Sequence, residues 1–196
     1  MTAPLALPPA GRTRPRNLIN ISLLMIVTGG LVLFAALIGA YVGLSEVAKN
    51  WPPPGVNLDE YVGNMLALTA VMSAITVEWS WHAIKRDDQA QATWGLSVTA
   101  LFAGAFLVLL WDSARRIGFG PGSAKVGAFA VMYFALLVAA GALALLGLAA
   151  LLMALARTVG RQMTPTNNEM LRAVAWYWDF VVVCWLAVWA TIWVFT

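Results

Sequence analysis

Charge, cysteine and histidine are all scarce in this 196-residue chain: 11% of residues are charged, and there is one cysteine and one histidine. A soluble domain carries roughly 25% charged residues, and the mean hydropathy of +0.79 points the same way. Water is not the principal solvent of this polypeptide. The lone Cys184 excludes an intramolecular disulfide and a cysteine metal cluster. The lone His82 excludes a bis-histidine haem and a histidine-rich copper or zinc centre built by this chain alone. No phosphate-binding loop, dinucleotide-binding glycine pattern or spaced nucleophile, base and acid is present, so no catalytic residue is assigned.

Long apolar runs are what the sequence has in abundance. A hydrocarbon core about 30 Å thick needs about 20 apolar residues per helix, and five runs reach that scale: residues 18–44, 62–84, 94–111, 126–156 and 173–195. The expected fold is an all-α integral membrane protein, a bundle of five transmembrane helices over about 18–45, 62–85, 93–114, 124–157 and 171–195. These make one membrane domain, residues 18–196. Residues 1–17, rich in proline and alanine and carrying Arg12, Arg14 and Arg16, are expected to form a flexible tail. The first run is nearly twice as long as the apolar core of a signal peptide, so it reads as a retained helix.

Basic residues in short loops report topology rather than nucleic-acid binding. With the amino terminus inside, the inner segments hold Arg12, Arg14, Arg16, Lys85, Arg86, Arg157, Arg161 and Arg172, and the outer ones hold Lys49, Arg115, Arg116 and Lys125. Eight against four predicts a cytoplasmic amino terminus and an outer carboxy terminus. The outer Trp51-Pro52-Pro53-Pro54 segment cannot be helical, because each proline ring fixes φ and removes a donor. Trp51, Trp94 and Trp111 read as anchors at the headgroup level. Residues 126–156 carry no charge over 31 positions; a helix of that length is about 46 Å long and must tilt, bend or protrude. Its small residues, from Ala139 to Gly147, favour close helix approach, as does the Gly39 and Gly43 pair on the first helix.

Ionisable groups inside apolar runs are costly, at least about 2.5–3.5 kcal/mol at a helix centre, so each is a candidate for function. Glu78 and His82 lie four apart on one helical face and are expected to pair. Asp112 precedes Arg115 and Arg116, which predicts a local ion pair. Asp179 sits among aromatic residues in Trp176-Tyr177-Trp178-Asp179-Phe180. Glu78, Trp81, His82, Trp178, Asp179 and Trp185 are the candidate lipid or subunit contacts.

The stretch from Ala175 to Trp193 resembles the last helix of subunit III of haem–copper cytochrome c oxidases, which reads close to WYWHFVDxxW; Trp176, Tyr177, Trp178, Phe180, Val181 and Trp185 match. Tyr41 and the tryptophan–triproline turn are similar to five-helix bacterial members of that family. The segment from Trp79 to Ile84 followed by Asp88 resembles its W-x-H-H-x-L helix end, and Gly122-Ser123 fits the loop before the fourth helix. Asp179 stands where the family has histidine and Val182 where it has aspartate. Residues 137–143 contain no histidine where the family carries G-F-H-G-L-H, and the family's Q-x-x-E-Y glutamate falls near Ala114.

The resemblance implies a divergent, non-catalytic subunit of a bacterial aerobic respiratory oxidase, itself an oxidoreductase that translocates protons. The chain would pack against the catalytic subunit I and subunit II, which would hold the haem and copper, while this chain holds no cofactor but bound phospholipid. It would support the stability of the complex and its proton or oxygen supply, within the plasma membrane and in a larger respiratory supercomplex where one forms. The other readings are an accessory subunit of a related complex such as a nitric oxide reductase, and a small permease suggested by Glu78, His82 and Asp179 at membrane depth.

Overall fold

In hydrocarbon a backbone N–H or C=O finds no water, so an apolar segment satisfies its own backbone by closing into a helix. The computed structural model, which describes residues 16–194, contains five such helices: α1 Arg16–Val47, α2 Glu60–Lys85, α3 Gln89–Arg116, α4 Gly127–Val159 and α5 Glu169–Trp189. A π-helical turn, Ala190–Val194, extends α5. All five are long and apolar enough to cross a membrane. The tail expected over residues 1–17 lies outside the described residues except for Arg16 and Asn17, which begin α1.

Local chemistry sets the helix ends. Asp59 caps α2, its carboxylate accepting from the backbone N–H of Tyr61 at 3.0 Å and of Val62 at 3.3 Å. Asp88 caps α3 through the N–H of Gln91 at 3.0 Å. Between them Asp87 takes a positive φ of 61° that reverses the chain in a single turn. Pairing an acidic cap with the positive pole of each helix satisfies donors that have no partner inside the helix.

Helices α2, α3, α4 and α5 form a closed ring in which α2 packs on α3 and α5, and α4 packs on the same two. Helix α1 lies outside that ring against α4 and α5; only 11% of its most apolar stretch is buried. Its contact stripe runs through Gly30, Phe34 and Tyr41, spaced four and seven positions apart, while Leu24, Met25, Leu31 and Val32 point outward. The chain therefore has a basic end, with Lys85, Arg86, Arg157, Arg161 and Arg172, and an opposite proline-loop end.

Half-buried Trp51 folds back so that its ring sits 5.1 Å from both Tyr41 and Phe129, joining the α1 end to α4. Gly39 and Gly43 do not pair closely with another helix of this chain, since among the described residues no neighbour lies within 4 Å of where their Cβ atoms would be. The close approaches occur elsewhere, at Gly30, Gly63, Gly95 and Gly147. Trp94 and Trp111, by contrast, are exposed at the two ends of α3, as membrane-interface anchors should be.

Candidate lipid and subunit contact site

The aromatic segment of α5 distributes its side chains between core and surface according to the helical period. Trp178 and Trp185, seven apart, face inward and are 2% and 1% exposed. The Trp178 ring enters the notch left by Gly147 on α4, and its Nε1–H donates to Ser73 Oγ on α2 at 2.9 Å. Trp185 packs edge-on to Phe106 of α3, with ring centroids 5.1 Å apart. Both are core residues that offer no surface to a lipid or a neighbouring subunit, so their match to the motif is explained by packing. Tyr177 donates its hydroxyl to the Leu143 carbonyl at 2.9 Å, fixing α5 to α4.

Four of the candidates lie at the surface near the basic end. On α2, His82 Nδ1 is 3.8 Å from Glu78 Oε2, but it is only 2.8 Å from the Glu78 backbone carbonyl. The ring thus turns to the backbone, and the ion pair expected from the spacing is loose. Because both side chains are exposed on the bundle surface, at 55% and 34%, and the pair is loose, their coupling is expected to stay within about 0.5 kcal/mol. A double-mutant cycle with Glu78→Gln and His82→Gln, read by thermal unfolding of the detergent-solubilised protein, measures it; coupling above 1 kcal/mol would show a tighter pair than this geometry allows.

Trp81 carries the Lys85 ammonium 3.5 Å above its ring and meets the His82 ring edge-on at 5.1 Å. That arrangement desolvates one face of the cation and holds the last turn of α2 together. Asp179 of α5 lies beside Glu78 of α2 across the interface of the two helices. Sequence spacing pairs Glu78 with His82 on its own helix; the interhelical partner is invisible to it. Asp112, at the other end, forms the predicted ion pair, accepting from Arg116 Nε at 2.6 Å.

Beside Asp179 the structure opens into a groove that sequence reasoning did not reveal. Helices α1 and α5 touch where Phe180 Cζ lies 2.8 Å from the place a Gly30 Cβ would take. Towards the basic end they diverge, leaving one cavity of about 620 Å³ lined by Asn20, Val27, Arg172, Trp176, Asp179 and Phe180 among others. A second, of about 510 Å³, lies between α1, α4 and α5. Among the described residues no group of three or more His, Cys, Asp or Glu side chains is placed to hold a metal ion.

The family model for cytochrome c oxidase subunit III matches residues 13–196, nearly the whole chain. Among curated relatives, the cytochrome c oxidase subunit 3 of Heterololigo bleekeri is 26% identical over 180 residues, 88% of this chain and 68% of that protein. That of Struthio camelus is 29% identical over 149 residues, 75% of this chain and 56% of the relative. That of Anopheles gambiae is 30% identical over 149 residues, with the same coverages of 75% and 56%. The matched stretches thus span between 56% and 68% of these relatives' own lengths. With five membrane-length helices in the described residues, an aromatic last helix ordered by its motif, and a match from residue 13 to residue 196, the chain belongs to the cytochrome c oxidase subunit III family.

Proposed function

We propose that this chain is the non-catalytic subunit III of a bacterial haem–copper cytochrome c oxidase, packed in the plasma membrane against subunit I and subunit II. The observation that carries the reading is the family match over residues 13–196. Catalysis belongs to the partner chains in this reading, because haem and copper need sets of histidine or thiolate ligands and this chain has one histidine and one cysteine. The subunit contributes packing surface, bound phospholipid and support of proton or oxygen supply. Its basic end faces the cytoplasm, in accord with eight lysines and arginines on that side against four on the other.

The surface groups near the basic end suit a contact role. Glu78, Trp81, His82 and Asp179 lie on neighbouring faces of α2 and α5, outside the buried core. Lipid headgroups or a neighbouring subunit can meet them without disturbing the bundle.

The test is affinity purification through this chain in a gentle detergent, followed by a reduced-minus-oxidised visible spectrum and identification of the accompanying proteins. Haem a bands together with oxidase subunits I and II are the expected result. A haem-free, solitary chain would overturn the assignment, and nitric oxide reductase subunits in place of subunits I and II would reassign the complex. The same preparation, run on a native gel, reports whether the complex enters a larger respiratory assembly.

A further inference from the structure

All four helices of the ring contribute to one recess at the proline-loop end. It measures about 460 Å³ and reaches from the first turn of α2 and the last turn of α3 down to Ser113 and Tyr133. Its walls are held by contacts of their own. Trp193, carried on the π-helical turn after α5, lies 2.7 Å from where a Gly63 Cβ would be, and its Nε1–H donates to the Asp59 carbonyl at 3.3 Å. Four residues earlier Trp189 Nε1–H donates to Asn64 Oδ1 at 3.2 Å. Two indoles thus pin the end of α5 to the start of α2, and the recess between them is preformed.

The floor holds one donor too many. Ser113 Oγ and Tyr133 Oη lie 3.0 Å apart and hydrogen-bond to each other, at 9% and 1% exposure. Each hydroxyl carries one proton, and the bond between them uses one. Whichever oxygen donates, the other keeps a proton with no acceptor among the described residues, and a buried donor left so is costly.

The rim adds both signs of charge. Arg116 gives its Nε–H to Asp112, which leaves its two terminal amino groups to point elsewhere. Asp59 is committed to capping α2, while Glu60 meets no cation among the described residues. A simple anion in the recess would face Glu60, and a simple cation would face Arg116. An amide answers both, because its carbonyl oxygen accepts and its N–H donates. The lining comes from helix ends and the loop before α2, so the recess opens towards water on that side, where the amides available to a subunit are those of a neighbouring polypeptide.

We propose that this recess seats an extramembrane loop of another subunit, which inserts a main-chain or side-chain amide. The carbonyl oxygen takes the spare hydroxyl proton at the floor and an amino group of Arg116 at the rim, and the N–H meets Glu60. This rests on the reading of the chain as an oxidase subunit and adds the surface and the chemistry by which a partner is recognised there. Loss of the floor bond is expected to weaken the seat about fivefold.

The test uses the complex purified through this chain, with the photo-crosslinker benzoylphenylalanine in place of Tyr61, an exposed residue of the recess wall. Illumination is expected to join residue 61 to an extramembrane loop of a subunit that is stoichiometric with this chain, as mass spectrometry of the linked peptide reports. At the salt concentration that halves the wild-type yield, a fivefold weaker seat leaves about one sixth of the full yield. Ser113→Ala combined with Tyr133→Phe is expected to give that value, and it folds because both partners of the buried bond are removed together. Glu60→Lys, at an exposed position outside the core, lowers the yield at least as far. Arg115→Gln leaves it unchanged, since Arg115 lies over the Trp111 ring and outside the recess. Wild-type yield in the double variant or in Glu60→Lys would overturn the proposal. So would links confined to lipid or to this chain itself, its own Phe195 and Thr196 included. The haem spectrum of the same preparation separates the two claims: a partner loop captured without haem sinks the oxidase assignment alone, and haem without a captured loop sinks this one alone.

Discussion

Trp178→Ala is expected to destabilise the bundle by about 3 kcal/mol, the low end of the range for removing a large buried aromatic. Trp178 is 2% exposed and joins three helices. Its ring lies 2.6 Å from where a Gly147 Cβ would be on α4, and its Nε1–H donates to Ser73 Oγ on α2 at 2.9 Å. The low end applies because the chain unfolds into lipid or detergent, where the side chain finds an apolar medium again. What is lost is contact and packing, not transfer from water. The hydrogen bond is the smaller part. Interhelical bonds in membranes average about 0.6 kcal/mol, and Ser73 Oγ keeps a second bond of its own, donating to the Ala70 carbonyl at 2.6 Å. Trp178→Phe should therefore cost less than half as much as the alanine. Unfolding midpoints of the detergent-solubilised protein give both values. A phenylalanine as damaging as the alanine would mean that the indole N–H, and not the ring filling the Gly147 notch, holds α5 in place.

The number of helices and their type were legible in the sequence because uncharged runs of membrane length admit almost no other structure. The arrangement was not, for a reason peculiar to this solvent. In water the buried face of a helix is marked by its apolar stripe; here lipid-facing and core-facing residues are both apolar. Leu24 and Leu31 of α1 are exposed while Leu66 and Leu96 are fully buried, and nothing in the residue type separates them. That α1 is peripheral, packed mainly against α4 and α5, follows from packing that hydropathy does not record.

Glycine shows the same limit more sharply. The i, i+4 spacing of Gly39 and Gly43 looks like a helix-packing motif, yet both face open space, whereas Gly30, Gly63, Gly95 and Gly147 each receive a side chain of a neighbouring helix. A glycine permits close approach, but only the partner's surface decides whether it occurs. The candidate contact residues divide in the same way. Glu78, Trp81, His82 and Asp179 were identifiable because charge and aromatic rings are conspicuous in apolar runs. Arg172 and Asn20, which look like ordinary helix-end residues, were not, because their interest comes from a cavity that two helices make together.

The second large effect is expected at Gly95, where α3 lies closest to α2. A Cβ there would collide with Ser80 Oγ, and it would also meet Ser80 Cβ and the Thr76 carbonyl oxygen, both at 3.3 Å. Ser80 is fully buried and donates to the Thr76 carbonyl at 2.7 Å, so the hydroxyl cannot swing away into solvent. A few residues along, Thr76 and Thr99 hydrogen-bond across the same interface at 2.8 Å, which resists any sliding that would relieve the clash. Overpacking of this kind costs about 1–3 kcal/mol, against which replacing a helical glycine by alanine returns about 1 kcal/mol. Gly95→Ala is thus expected to lose up to about 2 kcal/mol net, and Gly95→Val more. The cause can be isolated. Ser80→Ala removes only the colliding oxygen and one hydrogen bond to a carbonyl that also serves the helix, so by itself it should cost under 1 kcal/mol. Combined with Gly95→Ala, it leaves contacts of 3.3 Å that a few tenths of an ångström relieve, and the double variant should return to near wild-type stability. Rescue of that size, seen as a higher unfolding midpoint for the double variant than for Gly95→Ala alone, identifies the Ser80 hydroxyl as the steric limit of the α2–α3 interface. Simple additivity would place the strain in the backbone contact with Thr76 instead.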